Sequence, residues 1–335
     1  MTVAVTTFGE INGKPVKQFS LKSETGVEVD IIEFGVAVRD WRVPVDGALR
    51  TVVLGFDKLE DYLKHSPHFG ALAGRVANRI AGASFVIDGK TYNTEANWHG
   101  HTLHGGSGGL GRVVWTGKAD DAKNAVTFTY HSPDGDMGFP GTVDFTAVYT
   151  LKGNKLRLDL SATTDKATPI SLVQHQYFNL GTGPDVLDHS YQINSSAYTQ
   201  PGEMLIPTGA ILPSKGTNYD LRTPRTMRNN GQPLDYDLNL VLDNGHDTSQ
   251  PVATVKGPDG KLTLKLWTDR PGLQVYNSVT TDVPVSGLNG KKYGRHCGFC
   301  LEDQNFPDAV HNPHFPSVWH SPTKPYAHWC EFEIA

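Results

Sequence analysis

Val143-Asp-Phe-Thr-Ala-Val-Tyr149, followed across Gly153-Asn154 by Leu156-Arg-Leu-Asp-Leu160, is the stretch whose reading decides the fold. Apolar and polar residues alternate with a period of two. β-Branched and aromatic side chains fill many of the apolar positions, as in a strand with one face in a core and the other in water. Gly and Asn between the two runs supply the turn of an antiparallel hairpin. The same alternation recurs at Val27 to Ile32, Ala125 to Tyr130 and Leu262 to Trp267, with further turn signals at Asp46-Gly47, Asp88-Gly89 and Asp259-Gly260. Neighbouring strands are expected to pair antiparallel. The only stretch that reads as helix, Lys58 to Leu63, is too short to cross between parallel strands, which argues against a doubly wound α/β layout. The predicted fold is all-β, a large antiparallel β-sandwich.

Composition agrees. Of 335 residues, 38% are hydrophobic and 19% charged, with 35 Gly and 21 Pro, the balance of a folded chain rich in tight turns. Without a Pro/Ser-rich linker or a repeat of fixed period, residues 1–335 read as a single domain. The net charge is −5 and the 30 Lys and Arg form no basic run, so neither nucleic acid nor an anionic membrane is an expected partner. Residues 1–17 hold no signal-peptide core, and no apolar run reaches the roughly 18 residues that span a bilayer, so the expected compartment is the cytoplasm. Three cysteines, Cys297, Cys300 and Cys330, are too few and too uneven for a secreted disulfide framework. Cys297 and Cys300 satisfy C-x-x-C, but without a second pair or a helix start they read as two thiols on one strand segment. The sequence leaves the oligomeric state open.

Two regions look like long loops, the elements on which sites tend to be built: Asn93 to Gly111, and Thr182 to Arg228 with its Pro, Gly, Asn and Ser. The first contains His99, His101 and His104. Their H-x-H-x-x-H spacing lacks the helical context of zinc proteases, so no metal is expected, and a cupin-like metal centre stands as a rival. His175 sits in a strand-like run between Pro169 and Gly181. Glu302 follows an apolar run, where burial would raise its pKa above the usual value of about 4.3 and make it a better base.

Read in order, Gly74-Arg75-Val76-Ala77-Asn78-Arg79-Ile80, Leu103-His104-Gly105-Gly106, Gly138-Phe139-Pro140-Gly141, His175-Gln-Tyr177-Phe178-Asn179-Leu180, Pro271-Gly-Leu-Gln274, Leu301-Glu302 and Phe306-Pro307-Asp308-Ala309 resemble the galactose mutarotase (aldose 1-epimerase) family. The resemblance implies a galactose mutarotase-like supersandwich, an isomerase activity on a small-molecule sugar, and no cofactor. It also implies roles: Glu302 as general base on the anomeric hydroxyl, His175 as general acid on the ring oxygen, and His104 as a second histidine near that oxygen. Asn78, Arg79, Tyr177, Asp237 and Gln274 are implied as substrate-binding residues. The chain departs from the family's pattern at Leu238 and Leu240, where His and Phe are usual, and at Pro322-Thr-Lys-Pro325-Tyr326, where Pro-Gly-Glu usually precedes the tyrosine.

The chemistry needs only these residue types. Opening a pyranose removes a proton from the C1 hydroxyl and delivers one to the ring oxygen, and an acid and a base on opposite sides of the ring would meet that need. Arg79 and Asp237 would hold hydroxyls through charge-assisted hydrogen bonds, and Trp98 would stack on a sugar face or line the rim. One rival is a hexose-6-phosphate epimerase, with Arg112, Arg222 or Arg225 binding the phosphate. Another is a non-catalytic carbohydrate-binding protein on the same fold.

Overall fold

The alternation in the deciding stretch becomes two ten-residue strands, Val143–Lys152 and Lys155–Thr164, paired antiparallel from Val143 opposite Thr164 to Lys152 opposite Lys155. Gly153 takes φ 55° at the turn, a region few other residues enter without strain. Every second side chain is buried along the Val143 strand, which fixes the register because a one-residue slip would expose the apolar set. The computed structural model describes residues 2–243 and 247–335.

These strands sit inside an eight-stranded sheet. Its order is Thr116–Asp120, Ala125–Ser132, Val143–Lys152, Lys155–Thr164, Tyr326–Ile334, Thr263–Thr268, Ala253–Lys256 and Ser190–Ile193. The C-terminal strand Tyr326–Ile334 lies between Lys155–Thr164 and Thr263–Thr268, so distant parts of the chain close the sheet together. A five-stranded sheet, here the N-terminal sheet, runs in sequence order through Ala4–Ile11, Lys14–Lys22, Glu28–Ile32, Ala37–Val45 and Ala48–Thr51. A second, the site sheet, is ordered Pro207–Pro213, Ala197–Pro201, Asp237–Val241, Gly272–Tyr276 and Cys300–Gln304. Their ladders are antiparallel, as expected. One apolar cluster joins all three sheets, with Leu21 and Trp41 from the N-terminal sheet, Phe128 and Leu158 from the large sheet, and Leu240 and Leu301 from the site sheet.

The short helix is Leu59–His65, burying Leu59 and Tyr62. One expectation is corrected: Thr182 to Arg228 is not a loop but carries Ser190–Ile193, Ala197–Pro201 and Pro207–Pro213. Ser190–Ile193 and Pro207–Pro213 are the outermost strands of their sheets, where prolines and low strand propensity are tolerated because only one side of the backbone must pair. Among the described residues no helix is long and apolar enough to cross a membrane.

We propose that the chain is one domain, because its largest core is shared by all three sheets. Leu21→Ala and Leu158→Ala, in different sheets, should each destabilise the protein by about 2–5 kcal/mol. In denaturant titrations both should shift one common transition; two transitions, each sensitive to one substitution, would refute the single domain.

Candidate active site

The site sheet breaks the alternation of the rest of the fold. All five residues of Cys300–Gln304 are buried although two are carboxylates, because both faces of the strand are covered. Pairing sets the rows. Asn239 stands opposite Gln274 and Gln274 opposite Glu302, while Asp237 stands opposite Tyr276 and Tyr276 opposite Cys300. Side chains two apart share a face, so Asp237, Gln274, Tyr276 and Glu302 project together into a cavity of about 270 Å³. Leu301 and Asp303 point the other way. Leu301 joins the core, and Asp303 pairs with His328 at 3.1 Å, whose other nitrogen lies 2.6 Å from Asp269.

Two connections bring imidazoles to the same cavity. His175 follows the short strand Val173–Gln174, and its backbone N–H and C=O bond to Ala71 O and Gly70 N, both at 2.9 Å. Its Nε2 lies 3.6 Å from Glu302 Oε1. His104 and Asn78 clasp each other: the His104 N–H donates to Asn78 O at 2.9 Å, and the Asn78 N–H donates to His104 Nδ1 at 3.2 Å. An Nδ1 that accepts leaves the proton on Nε2, so His104 is an Nε2–H donor. Gly105 must be glycine, because at φ 84° a Cβ would sit 2.0 Å from Gly74 O.

Next to this clasp, the Arg79 guanidinium lies over Trp98 at 4.5 Å, bonds Asn78 Oδ1 at 3.2 Å and pairs with Asp237 Oδ2 at 3.5 Å. Gln274 Nε2 donates to Asp237 Oδ1 at 2.6 Å. Tyr177 lies parallel to His175, with centroids 4.8 Å apart and planes at 7°. The residues expected from sequence, Asn78, Arg79, His104, His175, Tyr177, Asp237, Gln274 and Glu302, thus all line one cavity, with Trp98.

Glu302, His175 and His104 are 2%, 4% and 8% exposed, so desolvation dominates their protonation. Burial, with Asp237 and Asp303 adding repulsion, drives the Glu302 carboxyl well above its ordinary value. Burial carries His175 down to about 3, and His104 also falls well below the usual range, through burial and the neighbouring His68 and His175. Glu302 Oε2 is buried and has no hydrogen-bond partner among the described residues.

Other expectations resolve differently. The His175 imidazole and the Glu302 carboxylate stand side by side, 3.6 Å apart, and not on opposite sides of a gap that a pyranose could fill. His99 is exposed and His101 Nδ1 accepts the Gly82 N–H, so the H-x-H-x-x-H run does not converge. Among the described residues, the cluster of metal-ligand donor types in this cavity is His104, His175 and Glu302, whose donor atoms lie within 4.8 Å of one another. Cys297 and Cys300 are buried free thiols. Arg112 is committed to the carbonyls of Tyr62 and Ser66, and Arg222 to Asp220; neither these nor Arg225 lines the cavity. Sequence reasoning missed His68, Tyr276 and Thr280, which do. A second cavity, about 340 Å³ beside Thr51, Lys291 and Tyr293, is larger but has no carboxylate or imidazole among its described lining residues.

The aldose 1-epimerase family model matches residues 17–333. The chain belongs to the aldose 1-epimerase family. It is 39% identical to the galactose mutarotase of Rattus norvegicus, with 100% of both chains covered, and 39% identical to that of Homo sapiens, covering 100% of this chain and 99% of the relative. An aldose epimerase homologue from C. elegans superposes with a TM-score of 0.89 at 26% identity, over 95% of this chain and 98% of that one. Aldose 1-epimerases are isomerases, which makes the chain an enzyme of that class.

Burial of the epimerase carboxylate predicts a stability effect. Glu302 holds its proton more tightly folded than unfolded, so it stabilises the fold below its ordinary value of 4.5, and that contribution is lost as pH rises through the higher folded value. Glu302→Gln carries no such penalty. Its melting temperature relative to wild type should increase between pH 4.5 and pH 8; a difference that stays flat or falls would contradict the raised carboxyl.

Proposed function

We propose that this enzyme interconverts the α and β anomers of a free aldose such as galactose or glucose, with Glu302 and His175 as its proton-transfer pair. The carrying observation is that a buried carboxylate and a buried imidazole, 3.6 Å apart, share a cavity with a polar grip made of Arg79, Asp237, Asn78 and Gln274. The two oxygens that exchange protons, the anomeric hydroxyl and the ring oxygen, are bonded to the same carbon. Groups serving them must be neighbours, not opposites.

Catalysis starts from Glu302 as carboxylate and His175 as imidazolium, a charged pair that burial alone disfavours and that the bound ring-closed sugar must stabilise. Glu302 takes the proton from the anomeric hydroxyl, His175 gives one to the ring oxygen, the C1–ring oxygen bond breaks and C1 becomes a carbonyl. The pair is then carboxylic acid and imidazole. Rotation about C1–C2 turns the other carbonyl face to the ring hydroxyl, and closure returns both protons. One proton on the pair is conserved throughout. Raising Glu302 and lowering His175 makes the carboxylate a stronger base and the imidazolium a stronger acid than in water. His104 Nε2–H donates a hydrogen bond near the ring oxygen, while the grip holds the sugar through the open-chain stage. Proton transfer and rotation complete the reaction without an electron carrier or nucleotide. Three free cysteines favour a reducing compartment, and we place the enzyme in the cytoplasm.

Among the described cavity residues Arg79 is the one lysine or arginine, and it is already paired with Asp237, which favours a neutral sugar over a 6-phosphate. Polarimetry on freshly dissolved α-galactose, α-glucose and their 6-phosphates tests this reading. Wild type should accelerate anomer exchange of the free sugars over the phosphates, and Glu302→Gln should lose about 100- to 10,000-fold in kcat while staying folded. Preference for the phosphates would move the reading to the 6-phosphate epimerase. Sugar binding with no acceleration would leave a binding protein, and full activity of Glu302→Gln would remove the assigned base.

A further inference from the structure

His68 lines the cavity, yet no motif pointed to it. Its backbone takes φ 98°, a region a residue with a Cβ enters only when its surroundings impose it. Those surroundings are specific. Ser66 Oγ accepts the N–H groups of His68 and Phe69 at 3.2 and 2.9 Å, and His68 O accepts the Ala71 N–H at 3.0 Å. Gly70 and Ala71 are the residues that bond the backbone of His175, so the turn that strains His68 also anchors the proposed acid.

The ring delivered by this turn packs against both proposed ring-oxygen histidines. It lies 4.6 Å from His104, and 5.8 Å from His175 with planes at 14°. Its nitrogens have no hydrogen-bond partner among the described residues. A strained turn that places a polar ring against a sugar-sized cavity, without satisfying it, leaves its hydrogen bond for the ligand.

We propose that His68 is a specificity-determining residue that hydrogen-bonds the hydroxyl on C6 of the sugar and so selects hexoses over pentoses and 6-deoxy sugars. The inference rests on the epimerase reading. In that reading Glu302 serves the anomeric oxygen, whereas His175 and His104 serve the ring oxygen. The ring oxygen is bonded to C1 on one side and to C5 on the other. The His68 ring packs against both histidines and, among the described residues, makes no ion pair with Glu302, so the geometry points to the C5 side of the ring oxygen, where a hexose carries its hydroxymethyl group. Burial, His175 and Arg112 all push His68 toward its neutral form, which both donates and accepts and so suits a hydroxyl.

The test measures kcat/KM by polarimetry for wild type, His68→Phe and His68→Gln on D-galactose, 6-deoxy-D-galactose and L-arabinose, the pentose with galactose's ring configuration. Wild type should lose roughly tenfold from galactose to 6-deoxygalactose, the scale of one good hydrogen bond. His68→Phe should lose the same factor on galactose and almost nothing further on 6-deoxygalactose or arabinose, with His68→Gln, which keeps a donor and an acceptor, in between. A merely structural role predicts equal losses on all three sugars, and that result, or unchanged kinetics throughout, would overturn the proposal. Failure of wild type on every sugar would instead defeat the epimerase reading.

Discussion

A carboxylate and an imidazole 3.6 Å apart, both removed from water, are the constraint on which the rest of this structure depends. Desolvation disfavours the charged form of each, so the pair cannot rest on solvation and must hold its charge through the ligand and its neighbours. A reaction that cycles between carboxylate with imidazolium and carboxylic acid with imidazole needs neither form to be far below the other. Burial moves the two groups past that balance, so the empty cavity favours carboxylic acid with imidazole and the bound sugar and its neighbours must restore the charged pair.

Holding such a pair still is a task for sheet geometry. Glu302 is fixed by its ladder with Gln274, and His175 by backbone bonds to Gly70 and Ala71. The strand that turns Glu302 to the cavity turns Asp303 inward, and that second buried charge is compensated. Burial opposes the charge on His328, but Asp303 and Asp269 raise its affinity for a proton and clamp it between them. Thr268 donates a further hydrogen bond to Asp303. An unpaired Asp303 would both destabilise the core and hold Glu302 further from ionisation.

The fold was legible because its long strands have one wet face. Val143–Lys152 and Lys155–Thr164 alternate cleanly, and their turn is spelled out by Gly153-Asn154. Legibility failed where that condition failed. Ser190–Ile193 and Pro207–Pro213 look like loop because edge strands need less strand propensity. Cys300–Gln304 shows no alternation because both its faces are covered, and Glu302 gained its expected role from a resemblance, not from periodicity. The site residues carried by motifs converge on the cavity. His68 was invisible because its position follows from a turn held by Ser66 and by the peptide groups of His175, a long-range arrangement no local pattern encodes. The side-by-side placement of base and acid is likewise a property of packed strands. Sequence order separates the two by more than a hundred residues, and the family resemblance speaks only to their roles.

The most direct test of the central claim is a crystal structure of the Glu302→Gln variant with galactose bound. The account predicts the anomeric oxygen within hydrogen-bond reach, about 3 Å, of the side chain at position 302, and the ring oxygen within the same reach of His175 Nε2. A sugar whose anomeric carbon points instead toward Arg79 and Trp98, or that binds outside this cavity, would contradict it.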